Sequence, residues 1–238
     1  MQENDTVKSN ERGVALVIAL MAMTMMIALG TAVLLTAVTE SRIARNFRLA
    51  SEATYSADAV IERAMDDLAG VRDWNTLLNG TARSGFAEGM PSGIRTLRDG
   101  STIDLGAIVN VANCQKVAPC SDDEMSKVTD ERPWGLNNPR WMPFAWGAVN
   151  GLTPTGSVNS PFFVMLMVGD DPSECDNNPL VDGGPPVPPC SSFNPGVGVL
   201  SVRAEAFGPF GTHTILEATL TRENGNAGVR MLSWREAR

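Results

Sequence analysis

The 238 residues carry a formal net charge of -8, with 43% hydrophobic residues, few aromatics, 22 glycines and 15 prolines. No Lys/Arg cluster interrupts the acidic stretches beyond residue 100, so the chain would repel phosphate backbones, which argues against a nucleic-acid partner. One anchored globular domain with a single core and short, turn-linked elements fits this length and composition better than two independent domains.

In chain order, residues 1–13 form a short polar leader, and no charged residue occurs from Val14 to Thr39. Such a run exceeds the roughly 20 residues that a helix needs to cross a bilayer core, and it outlasts the apolar core of ordinary secretory signals. It predicts a retained membrane anchor over 14–39. Ile43, Phe47, Ala50, Thr54, Ala57, Ile61, Ala64 and Leu68 then recur at alternating spacings of four and three, a single stripe on an amphipathic helix over 40–69. No proline precedes Pro91, Gly30 is the only glycine between Val14 and Ala69, and Gly70 supplies the stop. The expectation is one helix of about 55 residues and about 80 Å, apolar all round in its first half and fit to carry a domain on its second.

A polar leader ending in glycine, then an apolar helix that runs on into a soluble domain, is the layout of type IV pilins and pseudopilins. Glu11-Arg12-Gly13-Val14-Ala15-Leu16-Val17 resembles a prepilin peptidase site. The resemblance implies that the leader stays cytoplasmic and that cleavage after Gly13 leaves an N-methylated terminus at Val14. Glu40-Ser41-Arg42-Ile43-Ala44-Arg45-Asn46-Phe47-Arg48 and Ala53-Thr54-Tyr55-Ser56-Ala57-Asp58-Ala59 resemble the N-terminal region of PilX-type minor pilins, so that the likeness covers about residues 11–69. Val14 stands where most pilins have Phe, Ile18 stands where they have Glu, and the family's helix-kinking proline is missing. In a filament that Glu pairs with a neighbour's terminal amine inside an apolar bundle, where an unpaired charge is expensive. A subunit without it need not find that partner, and the resemblance implies a place at or near the filament tip.

Lys/Arg counting opposes this topology, because Arg42, Arg45 and Arg48 follow the apolar run while the leader offers only Lys8 and Arg12 against Glu3, Asp5 and Glu11. The four cysteines, all downstream of the run, argue the other way. Cys114, Cys120, Cys175 and Cys190 are even in number and contain no Cys-x-x-Cys pair, which favours two disulfides in an oxidising compartment over a metal or redox motif. Three connectivities are open, and Cys114–Cys120 with Cys175–Cys190 is preferred. The domain is therefore placed outside the inner membrane, with the three arginines facing lipid head groups, acidic helix faces or solvent.

Residues 70–238 lose helical periodicity and gain turn signals at Asn79-Gly80, Asp99-Gly100 and Asn150-Gly151. Strands are expected over Ser101–Val111, Phe162–Val168, Val197–Phe207 and Thr212–Arg222, the last two joined by Gly-Pro-Phe-Gly. Leu200, Val202, Ala204 and Ala206 alternate with Ser201, Arg203 and Glu205, as in an antiparallel sheet with one buried face. The fold class is thus α+β and pilin-like, a long N-terminal helix packed on a C-terminal antiparallel sheet. Arg203-Ala204-Glu205 also resembles the end of PilX-type chains.

Two loops stand out. Trp134, Trp141, Phe144 and Trp146 crowd a proline-bearing stretch that offers either a stacking face for a ligand or, more simply, core filling. Between Cys175 and Cys190 and just before them, Asp170, Asp171, Asp176 and Asp182 lie among Glu174, Asn177 and Asn178. Hard oxygen donors at this density suit calcium, which some K-type pseudopilins bind, although the spacing is not that of an EF-hand and a hydrated acidic loop is the simpler reading. Apart from calcium no cofactor is expected. HExxH, GxSxG, P-loop and GxGxxG motifs are absent and His213 is the single histidine, so no enzyme is expected.

The leading expectation is a minor pilin that caps or primes a type IV pilus. Its partners would be the prepilin peptidase, the major pilin, other minor pilins and a large tip adhesin, with the inner membrane holding it before assembly. The alternatives are a K-type pseudopilin of a type II secretion system, for which the chain is short and lacks an evident helical insertion, and a permanently anchored periplasmic ligand-binding module.

Overall fold

A computed structural model describes residues 7–152, 159–174, 176–188, 196–223 and 228–237. Helix α1 runs Val7–Ala69, followed by α2 (Asn75–Leu78), β1 (Ile94–Thr96), β2 (Thr102–Asp104), α3 (Leu105–Cys114) and α4 (Asp122–Met125). Then come β3 (Met142–Ala148), β4 (Phe163–Asp170), β5 (Val199–Phe207), β6 (His213–Arg222) and β7 (Val229–Ala237). The chain divides between Arg48 and Leu49 into two compact units.

In the first unit every residue of α1 from Gly13 to Arg48 is exposed. Ala, Leu and Met dominate the apolar part and are strong helix formers. Its four threonines each return the hydroxyl proton to a carbonyl one turn back: Thr24 to Met21, Thr31 to Ile27, Thr36 to Ala32 and Thr39 to Leu35, at 2.7–3.0 Å. The polar atoms of this stretch are thus satisfied within the helix, as a lipid-facing or helix-facing surface requires.

In the second unit α1 continues from Leu49 and lies on a five-stranded antiparallel sheet in the order β3-β4-β5-β6-β7. The core on this side joins Leu49, Ala53, Ala57, Val60, Ile61, Ala64 and Leu68 to Val164, Leu166, Val202, Ala204, Leu216 and Leu220, all within a few per cent of full burial. Alanines at 53, 57 and 64 let the helix backbone sit close to the strands. Ala57, Ile61, Ala64 and Leu68 of the predicted stripe are fully buried and are joined by Leu49, Ala53 and Val60, whereas Ile43 and Phe47, which belong to the first unit, and Ala50 are exposed.

The sheet also has a second covered face. Trp141, Trp146, Phe163, Met165 and Met167 pack there against Leu97, Leu105 and Ala112, so β4 is buried on both sides. The expected one-sided sheet holds only for β5 to β7. The predicted strand Ser101–Val111 ends at Asp104 and becomes α3. Asp104 is the reason: its side chain accepts the Gly106 and Ala107 N–H groups and caps a helix that β-branched residues alone would not favour. Three strands were not expected: the short β1, β3 and β7. In β3, Pro143 lies on an outer strand, at a register shift that turns Phe144 into the helix-side core. β7 is the other edge, mostly exposed and guarded by Arg230, Arg235 and Glu236.

Arg132 organises the segment before β3. Its guanidinium is buried and donates to the carbonyls of Ala112 (2.8 Å), Met125 (3.1 Å) and Pro139 (2.9 Å). Burial, then the charges of Arg140 and Arg203, pulls its pKa down to about 10, so it remains a cation at neutral pH.

Candidate assembly helix and acidic cluster

Gly13 and Val14 both lie within α1, where Val14 is 59% exposed and nothing stands within 4 Å of the position a Gly13 side chain would take. Ile18 is likewise exposed. The helix from Gly13 is long and apolar enough to cross a membrane, and its apolar run is not buried within the protein.

At the end of β4, the structure gathers part of the acidic loop into a cluster. Asp170, Glu174 and Asp176 are only 3%, 2% and 9% exposed, and one oxygen of each lies within 4.8 Å of the others. Burial, reinforced by the Glu174 and Asp176 charges, pushes Asp170 up to about 9. Burial, then Asp176 and Asp171, pushes Glu174 up to about 8; the Gly183 N–H opposes this weakly without meeting hydrogen-bond geometry. Two of the aspartates singled out in the sequence do different work. Asp171 accepts the Ser173 N–H (3.1 Å) and hydroxyl (2.6 Å), and Asp182 accepts the Gly198 N–H at 2.7 Å. Asp182 is raised by burial, an effect opposed by Gly198 and by the Arg222 charge. Glu174, named in the acidic loop but not among the four candidate ligand aspartates, joins Asp170 and Asp176 in the cluster. Its signal was present as an acidic residue four positions after Asp170, but only the chain's return after a tight turn brings the two together.

Cys114 and Cys120 form a disulfide at the end of α3, whereas Cys175 and Cys190 lie outside the described residues. Trp141, Phe144 and Trp146 are core residues, and Trp134 is 40% exposed, so the aromatic stretch does not present one stacking face. His213 is an exposed strand residue that stacks on Phe207, with centroids 4.5 Å apart, and pairs with Glu205 at 2.9 Å.

A long helix with an exposed apolar half, whose other half lies on an antiparallel sheet, defines a pilin-like subunit. Residues 12–62 match the family model for the PilX N-terminal region, so this segment is similar to the N-terminal region of PilX-type type IV pilus minor pilins. That family is one of structural pilins, and its helix fits membrane anchoring. No curated protein and no solved structure matches the chain.

Proposed function

We propose that the protein is a minor pilin placed at or near the tip of a type IV pilus, where it primes or caps assembly with other minor pilins. The observation that carries this reading is the coincidence of the family match at 12–62 with a helix whose entire stretch from Gly13 to Arg48 is exposed. A surface this apolar is stable in lipid or against sister helices and not in water. Before assembly the inner membrane covers it, with the globular domain on the periplasmic side; after assembly neighbouring helices do. Ile18, in place of a buried charge, lets the helix enter a bundle without an ionic partner, which suits a subunit with no neighbour on one side. Prepilin peptidase would first remove residues 1–13, leaving Val14 as the terminus.

Mass spectrometry of sheared filaments tests this directly. The expected product begins at N-methylated Val14 and copurifies with other pilins, and Gly13→Val holds the precursor in the membrane. Recovery of an intact Met1 terminus in filaments would refute processing. Strict retention of the mature protein in the inner membrane would favour a permanently anchored module instead.

A further inference from the structure

Three carboxylates converge at the end of β4, and among the described residues no cationic side chain pairs with them. Asp170 Oδ1, both oxygens of Glu174 and Asp176 Oδ2 are buried and accept no hydrogen bond from the described residues. No ion pair among the described residues involves any of the three side chains. Burying one unpaired carboxylate is unfavourable, and converging three compounds the desolvation with mutual repulsion. The backbone nevertheless closes on them. A Cβ at Gly196 would fall on the Glu174 carboxylate and one at Gly184 on that of Asp176, so main chain presses against the oxygens from two directions. Asn137 holds the Glu174 carbonyl through Nδ2, and its own Oδ1 is also buried and unpaired.

We propose that Asp170, Glu174 and Asp176 bind one calcium ion, which ties the last residue of β4 to the loop that follows. The donor set is all carboxylate oxygen, with no imidazole or thiolate in the cluster, and this selects a hard cation over zinc or copper. Coordination habit separates the hard cations: calcium accepts roughly six to eight oxygen ligands in flexible geometry, with carboxylates binding through one or both oxygens, whereas magnesium demands a near-ideal octahedron and keeps several of its waters. Three buried carboxylates whose oxygens lie within 4.8 Å of one another therefore suit calcium better. The ligand order couples metal to structure, because Asp170 belongs to the sheet while Glu174 and Asp176 belong to the loop. Cation binding would fix that loop on the domain surface.

The test uses the full-length chain in detergent, stripped with EDTA and titrated with calcium chloride or magnesium chloride while heat release and Tm are followed. The expected result is a saturable heat at one ion per chain and a calcium-dependent rise in Tm, with magnesium weaker. Glu174→Gln should weaken calcium binding at least about tenfold, since affinity follows the ligand charge count. In EDTA the same variant should melt higher than the unsubstituted protein, because a repelling charge is gone; this separates loss of a ligand from loss of the fold. Asp171→Asn, outside the trio, should respond to calcium as the unsubstituted protein does. The proposal is overturned if neither heat nor Tm responds up to roughly 10 mM calcium, the weak end of extracellular sites. It is equally overturned if Glu174→Gln responds as the unsubstituted chain does.

Discussion

The guanidinium of Arg222 lies over the ring of Trp74, 4.3 Å from its centroid, and donates to the carbonyls of Arg72 (2.7 Å) and Val71 (2.9 Å). Those carbonyls follow immediately on the end of α1, where Gly70 and Val71 close the last turn onto Asp67 and Leu68. One side chain at the end of β6 thus ties down the two carbonyls that follow the long helix and roofs a buried tryptophan. Arg222→Ala should destabilise the domain by about 1–3 kcal/mol, the range for charge-assisted hydrogen bonds plus a cation–π contact. Arg222→Lys should recover less than half of that, since an ammonium cannot stack flat while reaching two carbonyls. Urea denaturation of the detergent-solubilised chain measures both; equal stability of all three proteins would refute the clamp.

A second prediction concerns acid. Glu205 is 4% exposed on β5, and burial alone would raise its pKa, but His213 and Arg203 outweigh burial and hold it below its ordinary value of 4.5. Arg203 in turn bridges Glu205 at 2.7 Å and Glu217 at 2.8 Å, and Arg235 extends the row from β7. A carboxylate with a depressed folded pKa contributes stability that is fully present above its unfolded value and is lost as pH falls through the folded one. The acidic branch of the stability curve below about pH 4.5 should therefore flatten in Glu205→Gln relative to the unsubstituted protein. Comparing denaturation midpoints between neutral and acid pH cancels the other carboxylates, whose contributions are common to both proteins. Identical acid slopes would remove Glu205 from the account.

Much of the architecture was legible because its signals are local and redundant. The uncharged run, the absence of proline and Gly70 mark α1, and strict alternation marks β5 and β6. The misreadings are of another kind. Asp104 converts a run of β-branched residues into α3 by a cap that is worth more than strand propensity there. Pro143 made β3 look like loop, and only its place at the sheet edge, with residues 84–88 bonded alongside through Phe144 and Trp146, makes it tolerable. β7 buries too little to show a period. Arg132 acts through carbonyls as far as 20 residues away along the chain, and composition carries no record of such convergence. Asp170, Glu174 and Asp176 were legible as members of an acidic loop; that these three converge while Asp171 and Asp182 turn to other partners was not.

The two Ala-to-large and apolar-to-charged substitutions that α1 invites should behave oppositely in its two units. Ala57 is fully buried against the sheet, so Ala57→Leu overpacks the core and should lower domain stability by about 1–3 kcal/mol. Met26 is 72% exposed in the apolar run, so Met26→Arg should leave the denaturation of the globular domain unchanged. Its effect should fall on anchoring, where an arginine at mid-bilayer disfavours insertion by about 2.5–3.5 kcal/mol. Carbonate extraction of membranes and recovery in sheared filaments read this second effect. A Met26→Arg protein that inserts and assembles normally would contradict the role assigned to the run.

The disulfide closes a short loop over a segment that has other ties. Asn110 Nδ2 donates to the Val117 carbonyl at 3.0 Å, Lys116 pairs with Glu124, and Asn113 exchanges two hydrogen bonds with the Trp141 backbone at 3.1 and 2.8 Å. Chain-entropy arguments give about 2 kcal/mol for so small a loop. Asn113 precedes Cys114 and its bonds to Trp141 do not pass through the bridge, so a Cys114→Ser, Cys120→Ser protein should keep β3 and the buried Trp141 and Trp146 in place. Hydrogen exchange should accelerate over residues 115–121 and remain slow across β3 and β4. Faster exchange across β4 as well would mean that the bridge supports the second face of the sheet rather than the end of α3 alone, and that the aromatic layer of Trp141 and Trp146 is held from the helix side inward.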